Sequence, residues 1–129
     1  MVDLFSNYAD TKDNVKQVKL FTGNGVVNII NDDKVTFTLN GRDEILKAFS
    51  GSMEEYKSVF HMSGQQTVEF VDATHANGIA YNFVVLVKDE NGKSVTSQEG
   101  VRYEDKYEKV NGHWLIAERN SHFNWHLVN

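Results

Sequence analysis

A run of alternating apolar and polar residues, interrupted by two Asn-Gly pairs, decides the fold of this chain. It covers residues 79–125 and reads IAYNFVVLVKDENGKSVTSQEGVRYEDKYEKVNGHWLIAERNSHFNW. Asn-Gly between alternating hydrophobic residues is a strong signal for a two-residue hairpin turn, because both residues tolerate a positive φ. The pairs Asn91-Gly92 and Asn111-Gly112 therefore predict antiparallel neighbours. The predicted strands cover 79–88, 95–110 and 113–125.

The strand pattern extends upstream of this run, where apolar and β-branched residues predict one more strand at 59–72. The turn between that strand and the next is predicted at Ala76-Asn77-Gly78. Strands of this length exceed the usual length of about five or six residues, so the sheet must twist and curl. Bulges bend a long strand locally, and we expect them at Gly64 and Gly100.

The first half of the chain has helical spacing instead. Apolar residues recur at helical intervals within 4–8 and within 15–21, and the segment 10–14 separates these two predicted helices. A third amphipathic helix is predicted near 42–57, where Asp43 precedes the apolar positions. The helices therefore come mostly before the long strands.

Two short β-branched runs, Val26 to Ile30 and Val35 to Leu39, predict a small hairpin between the second and third helices. Helices followed by a meander of strands are typical of the α+β class. We expect N-terminal helices packed on a curved antiparallel sheet, forming a cone with an internal pocket. A length of 129 residues fits a single domain over 1–129.

The composition excludes several function classes. Hydrophobic residues make up 40% of the chain and charged residues 24%, as in globular domains. A net charge of −5 with scattered basic residues argues against nucleic-acid and membrane-surface binding. Without cysteine there is no thiolate chemistry, and no histidine pair has metal-ligand spacing, so no metal is expected. The polar N-terminus is unlike a signal peptide, and we expect a cytoplasmic protein.

Arg119 is the most unusual residue of the last predicted strand. Strict alternation places it on the apolar face, and a guanidinium buried alone costs several kcal/mol. Two interpretations follow: a structural ion pair with a carboxylate, or a pocket residue that meets a ligand. The other residues predicted on this face are Leu115, Ala117, Phe123 and Trp125.

His61, near the start of the first long strand, is the candidate general base, because an imidazole titrates near neutral pH. A lone strand histidine is more often a structural or exposed residue, and a bulge at Gly64 would change which face it occupies. Asp10 and Asp13 flank the break between the first two helices, where capping is the ordinary role of an aspartate. A carboxylate gains a catalytic role only where it meets and orients a base.

Four segments in this order resemble the SnoaL-like branch of the nuclear-transport-factor-2-like superfamily. They are YADTKDNVKQVKLFTGNGVV (8–27), GRDEILKAF (41–49), FHMSGQQTVEFVDATHANGIA (60–80) and RYEDKYEKVNGHWLIAER (102–119). The resemblance covers nearly the whole chain. At the functional positions the chain is similar to the scytalone dehydratases and the hexachlorocyclohexane dehydrochlorinases. The resemblance implies a cone-shaped α+β fold with a deep apolar pocket.

The resemblance implies a His–Asp dyad, with the family's aspartate at Asp10 and its strand histidine at His61. The dehydrochlorinase arginine corresponds to Arg119, the same residue that alternation singled out. The chain departs from the dehydratases at Ala9, where they have a tyrosine, and at Gln98, where they have a second histidine. The complete dehydratase site is therefore not present.

These observations lead us to expect a cofactor-free lyase or isomerase that acts on a small apolar molecule. His61 would remove a proton, Asp10 would orient the imidazole, and Arg119 would steady the developing negative charge. The alternative is a non-catalytic ligand-binding or interaction domain of the same fold. Because both faces of the second long strand are apolar, we also expect a homo-oligomer, with a dimer favoured over a trimer. Expected substrate-binding residues are Tyr8, Tyr56, Gln98, Phe123 and Trp125.

Overall fold

The computed structural model describes all 129 residues, which form three helices and one six-stranded sheet. The helices are α1 (Val2–Asp10), α2 (Asn14–Val18) and α3 (Gly41–Met53). The strands are β1 (Phe21–Asn31), β2 (Lys34–Asn40), β3 (Ser58–Phe70), β4 (His75–Glu90), β5 (Lys93–Val110) and β6 (His113–Val128). The α+β class, with helices on a curved sheet, is confirmed.

The strands are ordered β2-β1-β6-β5-β4-β3, so β3 and β2 are the two edges. The strands β3, β4, β5 and β6 pair antiparallel in sequence order, as predicted. The expectation of a wholly antiparallel sheet is wrong, because β1 lies parallel to β6. This parallel pair brings the N-terminal hairpin to the end of the C-terminal meander, and the sheet is mixed.

The second predicted helix is too long. α2 ends at Val18, and Phe21 is the first residue of β1 rather than the last of a helix. Phe21 is fully buried against the rings of Phe5 and Phe49, so its apolar character serves the core in a strand equally well. Asp13 caps α2, since its side chain accepts from the Lys16 backbone N–H at 3.2 Å. The ordinary capping interpretation holds for this residue.

The predicted turn at Ala76-Asn77-Gly78 is also wrong, because these residues lie inside β4. Gly78 is needed there for space: a Cβ at this position would come within 2.6 Å of the Tyr107 ring on the neighbouring strand. The other two Asn-Gly pairs do form turns, with Asn91 and Asn111 at φ of 54° and 50°. Asn77-Gly78 instead lies within a strand, where the Tyr107 ring occupies the space over the glycine.

The helices cover the inner face of the sheet, and the core lies between them. Phe5 of α1 packs edge-on against Phe21, Phe49 and Tyr103, with ring centroids 5.8 to 6.4 Å apart in this group. Ile45 of α3 is fully buried. This aromatic contact fixes α1 against the sheet, with its C-terminal end beside β3.

Register shifts bend the long strands at the expected glycines and at one further position. One lies between Ser63 and Gln66, and another falls between Gly100 and Val101, which confirms both predicted bulges. Opposite Gly100 and Val101, β6 carries one extra residue, Asn124. A second extra residue in β6, Ala117, lies opposite the step from Lys106 to Tyr107. These insertions decide which β6 side chains face the interior.

Candidate active site

His61 and Asp10 meet where the end of α1 reaches the edge strand β3. The Asp10 carboxylate accepts two hydrogen bonds from the same residue: one from the His61 backbone N–H at 2.9 Å, and one from ring Nδ1 at 2.6 Å. Because β3 is an edge strand, its outward backbone N–H has no neighbouring strand to bond. The Asp10 carboxylate therefore accepts from an unpaired backbone N–H of the edge strand and also fixes the orientation of the His61 ring.

The contact determines which ring nitrogen of His61 is free. A carboxylate can only accept, so Nδ1 carries the hydrogen and neutral His61 has its lone pair on Nε2. The imidazole is 6% exposed and the Asp10 side chain 25% exposed, and His61 lines the largest apolar cavity. The arrangement is that of a general base oriented by a carboxylate.

The environment of His61 favours the neutral ring. Burial lowers the pKa of His61 below its ordinary value, and the Arg119 charge lowers it further, against the raising effect of the Asp10 carboxylate. A neutral imidazole at neutral pH is able to accept a proton. The same shift makes folding less favourable in acid, since the unfolded chain binds a proton at His61 more readily than the folded chain does.

The cavity beside His61 has a volume of about 510 Å³ and lies between α1, α3 and the inner face of the sheet. Most of its wall is apolar, including the rings of Phe5, Phe49 and Phe123. A cavity of this size and character suits a small apolar molecule. The titratable side chains in its wall are Glu55, Tyr56, His61, Glu99 and Tyr103.

Two of the five expected substrate-binding residues line this cavity, namely Tyr56 and Phe123. Tyr8 does not line the cavity. Ala9 faces the cavity, and the side chain of the adjacent Tyr8 is rotated from it by about 100° around the axis of α1. Gln98 is exposed on the outer face of β5, one residue before Glu99 in the cavity wall. Alternation along β5 therefore places Glu99, not Gln98, inside.

Trp125 also lies outside, in a place that strict alternation does not predict. Phe123 pairs with the inward Val101, whereas Trp125 pairs with Gly100, and the extra residue Asn124 between them reverses the alternation. A Cβ on Gly100 would come within 2.1 Å of the Trp125 indole nitrogen. The indole thus covers a glycine on the outer face of the sheet.

Arg119 forms the structural ion pair that was one of its two interpretations. Its Nε and Nη2 donate to the two Asp105 carboxylate oxygens at 2.8 and 2.7 Å, and both side chains are 0% exposed. The Tyr107 hydroxyl donates to the same carboxylate at 2.8 Å. Arg119 does not line the cavity, and no other arginine or lysine side chain lines it.

The guanidinium nevertheless lies directly behind the cavity wall. It stacks 4.2 Å from the centroid of Phe5 and 4.0 Å from that of Tyr103, and both of these rings line the cavity. Its remaining nitrogen, Nη1, is buried without a partner. Burial raises the pKa of Tyr103 to about 12, so this ring stays neutral at physiological pH. Arg119 therefore contacts the cavity wall only through these two rings, and its charge adds to the lowering of the His61 pKa by burial.

Two residues of the site were missed by sequence reasoning, Asp105 and Glu99. Both occupy odd positions of β5, the face that carries Val101 and Tyr103. A carboxylate on an apolar face is the same signal that singled out Arg119. That test, applied to β5, would have found both acids.

The sequence matches the family model of the SnoaL-like domain over residues 1–120. The chain belongs to the SnoaL-like family. No protein of curated function matches this SnoaL-like sequence. No helix of the chain has both the length and the apolar character required to cross a bilayer.

Solved structures share the SnoaL-like fold at low sequence identity. A scytalone dehydratase-like protein of Novosphingobium aromaticivorans is 19% identical with a TM-score of 0.86, over 98% of this chain and 80% of that one. A hexachlorocyclohexane dehydrochlorinase of Novosphingobium barchaimii is 17% identical with a TM-score of 0.80, over 96% and 82%. A protein of Xanthomonas campestris described as a calcium/calmodulin-dependent protein kinase II association domain is 24% identical, with a TM-score of 0.75 over 95% and 81%. These similarities show the fold alone.

The His61–Asp10 contact predicts the effect of Asp10→Asn on the imidazole. Because the Asp10 charge stabilises the imidazolium, its removal should lower the pKa of His61 further. Histidine ring NMR titrations of the two proteins measure this shift. Asp13→Asn is the matched control, since Asp13 caps α2 and should leave His61 unchanged. An unchanged or raised pKa in Asp10→Asn would contradict the contact.

The Arg119–Asp105 pair predicts a large loss of stability in Arg119→Met. The substitution leaves the Asp105 carboxylate buried without its cation, which costs about 3–5 kcal/mol in comparable pairs. Urea denaturation measures the free energy of unfolding. The double variant Arg119→Met, Asp105→Leu removes both charges and should recover most of the loss. If the single variant unfolds at the wild-type urea concentration, the pair does not stabilise the fold.

Proposed function

We propose that this SnoaL-like protein is a cofactor-independent lyase or isomerase that takes a proton from a carbon atom of a small apolar substrate. The observation that carries the proposal is the His61–Asp10 contact in the wall of an apolar cavity. His61 is the general base through Nε2, and Asp10 orients the ring and stabilises the imidazolium that forms. The family membership and the fold of the neighbouring structures support a domain of this type.

Arg119 has a positioning role in this proposal rather than a direct one. Burial lowers the pKa of His61 and the Arg119 charge adds to this effect, which favours the neutral base before the substrate binds. The guanidinium also supports Phe5 and Tyr103 from behind the cavity wall. The Arg119 charge would therefore attract negative charge that develops on the substrate, across these rings and in a medium of low dielectric constant.

The second candidate function is a non-catalytic ligand-binding domain. One observation favours it: Asp105 already pairs with Arg119, the cation expected to steady negative charge, and Arg119 does not reach the cavity. An apolar cavity can bind a ligand without any proton transfer. The two functions differ in whether His61 exchanges a proton with a carbon atom of the bound molecule.

Exchange of carbon-bound hydrogen in D₂O distinguishes the two functions. Benzylacetone, a small apolar ketone with acidic α-hydrogens, is the first probe of a series of such ketones, and NMR follows the loss of its α-proton signals. The wild-type protein should accelerate this loss, and His61→Gln should reduce the acceleration by about 10²–10⁴-fold. The rate should fall as the pH drops through the His61 pKa, which lies below its ordinary value.

Asp13→Asn serves as the control, because Asp13 lies close to Asp10 in sequence but only caps α2. It should exchange benzylacetone at the wild-type rate. Saturable binding of the ketones with no exchange, or exchange that is equal in the wild type and His61→Gln, would favour the binding domain over the enzyme.

We also propose that a second copy of the chain covers the outer face of the sheet, most simply as a dimer. An apolar row crosses four strands there, from Met62 through Phe83 and Gly100 to Trp125. Met62 is 57% exposed and Trp125 43% exposed, and Phe60 beside them is 51% exposed. A contiguous apolar patch of this kind on a sheet face is typical of a protein interface.

Light scattering at micromolar concentration tests this assembly. The wild-type protein should have the mass of a dimer, and Phe60→Lys should shift it toward the monomer, because a charge would be buried at the interface. Val35→Lys is the control: Val35 is 58% exposed but lies on β2 at the opposite edge. A monodisperse wild-type monomer would contradict the proposal.

A further inference from the structure

Glu99 is a second acid–base group in the cavity, and the function proposed above does not use it. It lies on the inner face of β5, where its half-buried side chain lines the same cavity as His61. Unlike Asp105 on the same strand, it has no cation in contact with it. A carboxyl group in an apolar wall without a structural partner is available to a ligand.

The strand register places Glu99 at a defined distance from His61. His61 pairs with Val84 on β4, and Val84 pairs with Glu99 on β5, so the three residues form one row across the sheet. Neighbouring strands are about 4.8 Å apart, which puts the Cα atoms of His61 and Glu99 roughly 10 Å apart. Both side chains face the interior, with the buried Val84 between them. Since all three residues line the same cavity, a small molecule lying over Val84 would have the imidazole on one side and the carboxyl group on the other.

The surroundings of Glu99 favour its protonated form. Burial raises the pKa of Glu99 above its ordinary value, against the lowering effect of His126, which pairs with it from β6. The other titratable groups of the wall are Glu55 and Tyr56, after α3, with Tyr103 on β5 and His61 on β3. Burial raises the pKa values of Tyr56 and Tyr103, so both hydroxyl groups keep their protons. The cavity therefore holds a neutral base and a carboxyl group that is protonated more readily than an ordinary glutamate.

We propose that Glu99 is the general acid for a leaving hydroxyl group, and that the substrate class is a β-hydroxy carbonyl compound with an apolar body. The inference rests on the proposed function of His61 as the base. It narrows that function to the loss of water, because hydroxide leaves poorly without a proton whereas a halide or a carboxylate leaves readily as an anion.

The step balances within the residues of the cavity. His61 Nε2 takes the proton from the α-carbon, and the electron pair of that C–H bond becomes the new C=C bond. The C–O bond at the β-carbon breaks, its electron pair stays on oxygen, and the proton of Glu99 completes a molecule of water. A proton then passes from the His61 imidazolium to the Glu99 carboxylate through solvent, which restores both groups.

Two substrates with one product separate the role of Glu99 from that of His61. The aldol adduct of benzaldehyde and acetone loses water to give benzylideneacetone, and its O-acetyl ester loses acetate to give the same product, followed by ultraviolet absorbance. With Glu99→Gln, turnover of the hydroxyl compound should fall by about 100-fold or more, while turnover of the acetate should change by less than about threefold. His61→Gln should slow both.

Glu108→Gln is the matched control, since Glu108 lies on the same strand, pairs with His75 and Leu115, and does not line the cavity. It should leave both turnover rates unchanged. If Glu99→Gln slows the two substrates equally, or slows neither, Glu99 is not the acid. Exchange of benzylacetone that depends on His61 but not on Glu99 would then show that the proposed function stands while this inference fails.

A binding measurement decides the case in which neither substrate is turned over. The wild-type protein should bind the aldol adduct more tightly than benzylacetone, which has the same skeleton without the hydroxyl group. Glu99→Leu should remove that preference by weakening binding of the adduct only. Equal affinity of the wild-type protein for the two ketones, or binding of neither, would overturn the inference.

Discussion

The Asp10 carboxylate is the contact on which the site depends. It ends α1, and it accepts from both the backbone and the ring of His61. An edge strand leaves every second backbone N–H without a strand partner, and a helix end placed beside it can supply an acceptor. The position of the His61 ring is therefore a consequence of how the first helix closes on the sheet. Phe5, packed against three rings one helical turn earlier, holds that helix in place.

The interior combines charges that would be costly if they were isolated. The Arg119–Asp105 pair is completely buried, but its bidentate geometry and the Tyr107 hydroxyl satisfy most of its polar atoms. Its cation lies behind two rings of the cavity wall, so that its charge reaches His61 without a direct contact. The cavity wall thus presents apolar rings to a ligand, while the buried ion pair behind these rings contributes to the electrostatic potential in the cavity.

The sequence predicted the Asn91-Gly92 and Asn111-Gly112 turns, and the family resemblance named Asp10 and His61, which lie in contact. The sequence was insufficient where a single extra residue changes the register. Unbroken pairing from the Asn111-Gly112 turn would put Asp105 opposite Glu118. The extra Ala117 puts it opposite Arg119 instead. No glycine marks this shift, in contrast to the bulges at Gly64 and Gly100, and it is stabilised by contacts across the sheet that the local pattern does not contain. The parallel pairing of β1 with β6 has the same origin: it is a long-range contact with no turn signal in the sequence.

The extra residue Asn124 gives the end of β6 a property that an ordinary strand lacks. Phe123 and Trp125 are two positions apart, yet one faces the cavity and the other the outer surface. One more residue in β5 between Gly100 and Val101 would give Asn124 a partner, return the pair of strands to simple alternation and turn one aromatic ring to the opposite side. Ligand fit and surface association are thus linked by chain length at a single position. Relatives with one more residue at this point of β5 would change both properties in one evolutionary step.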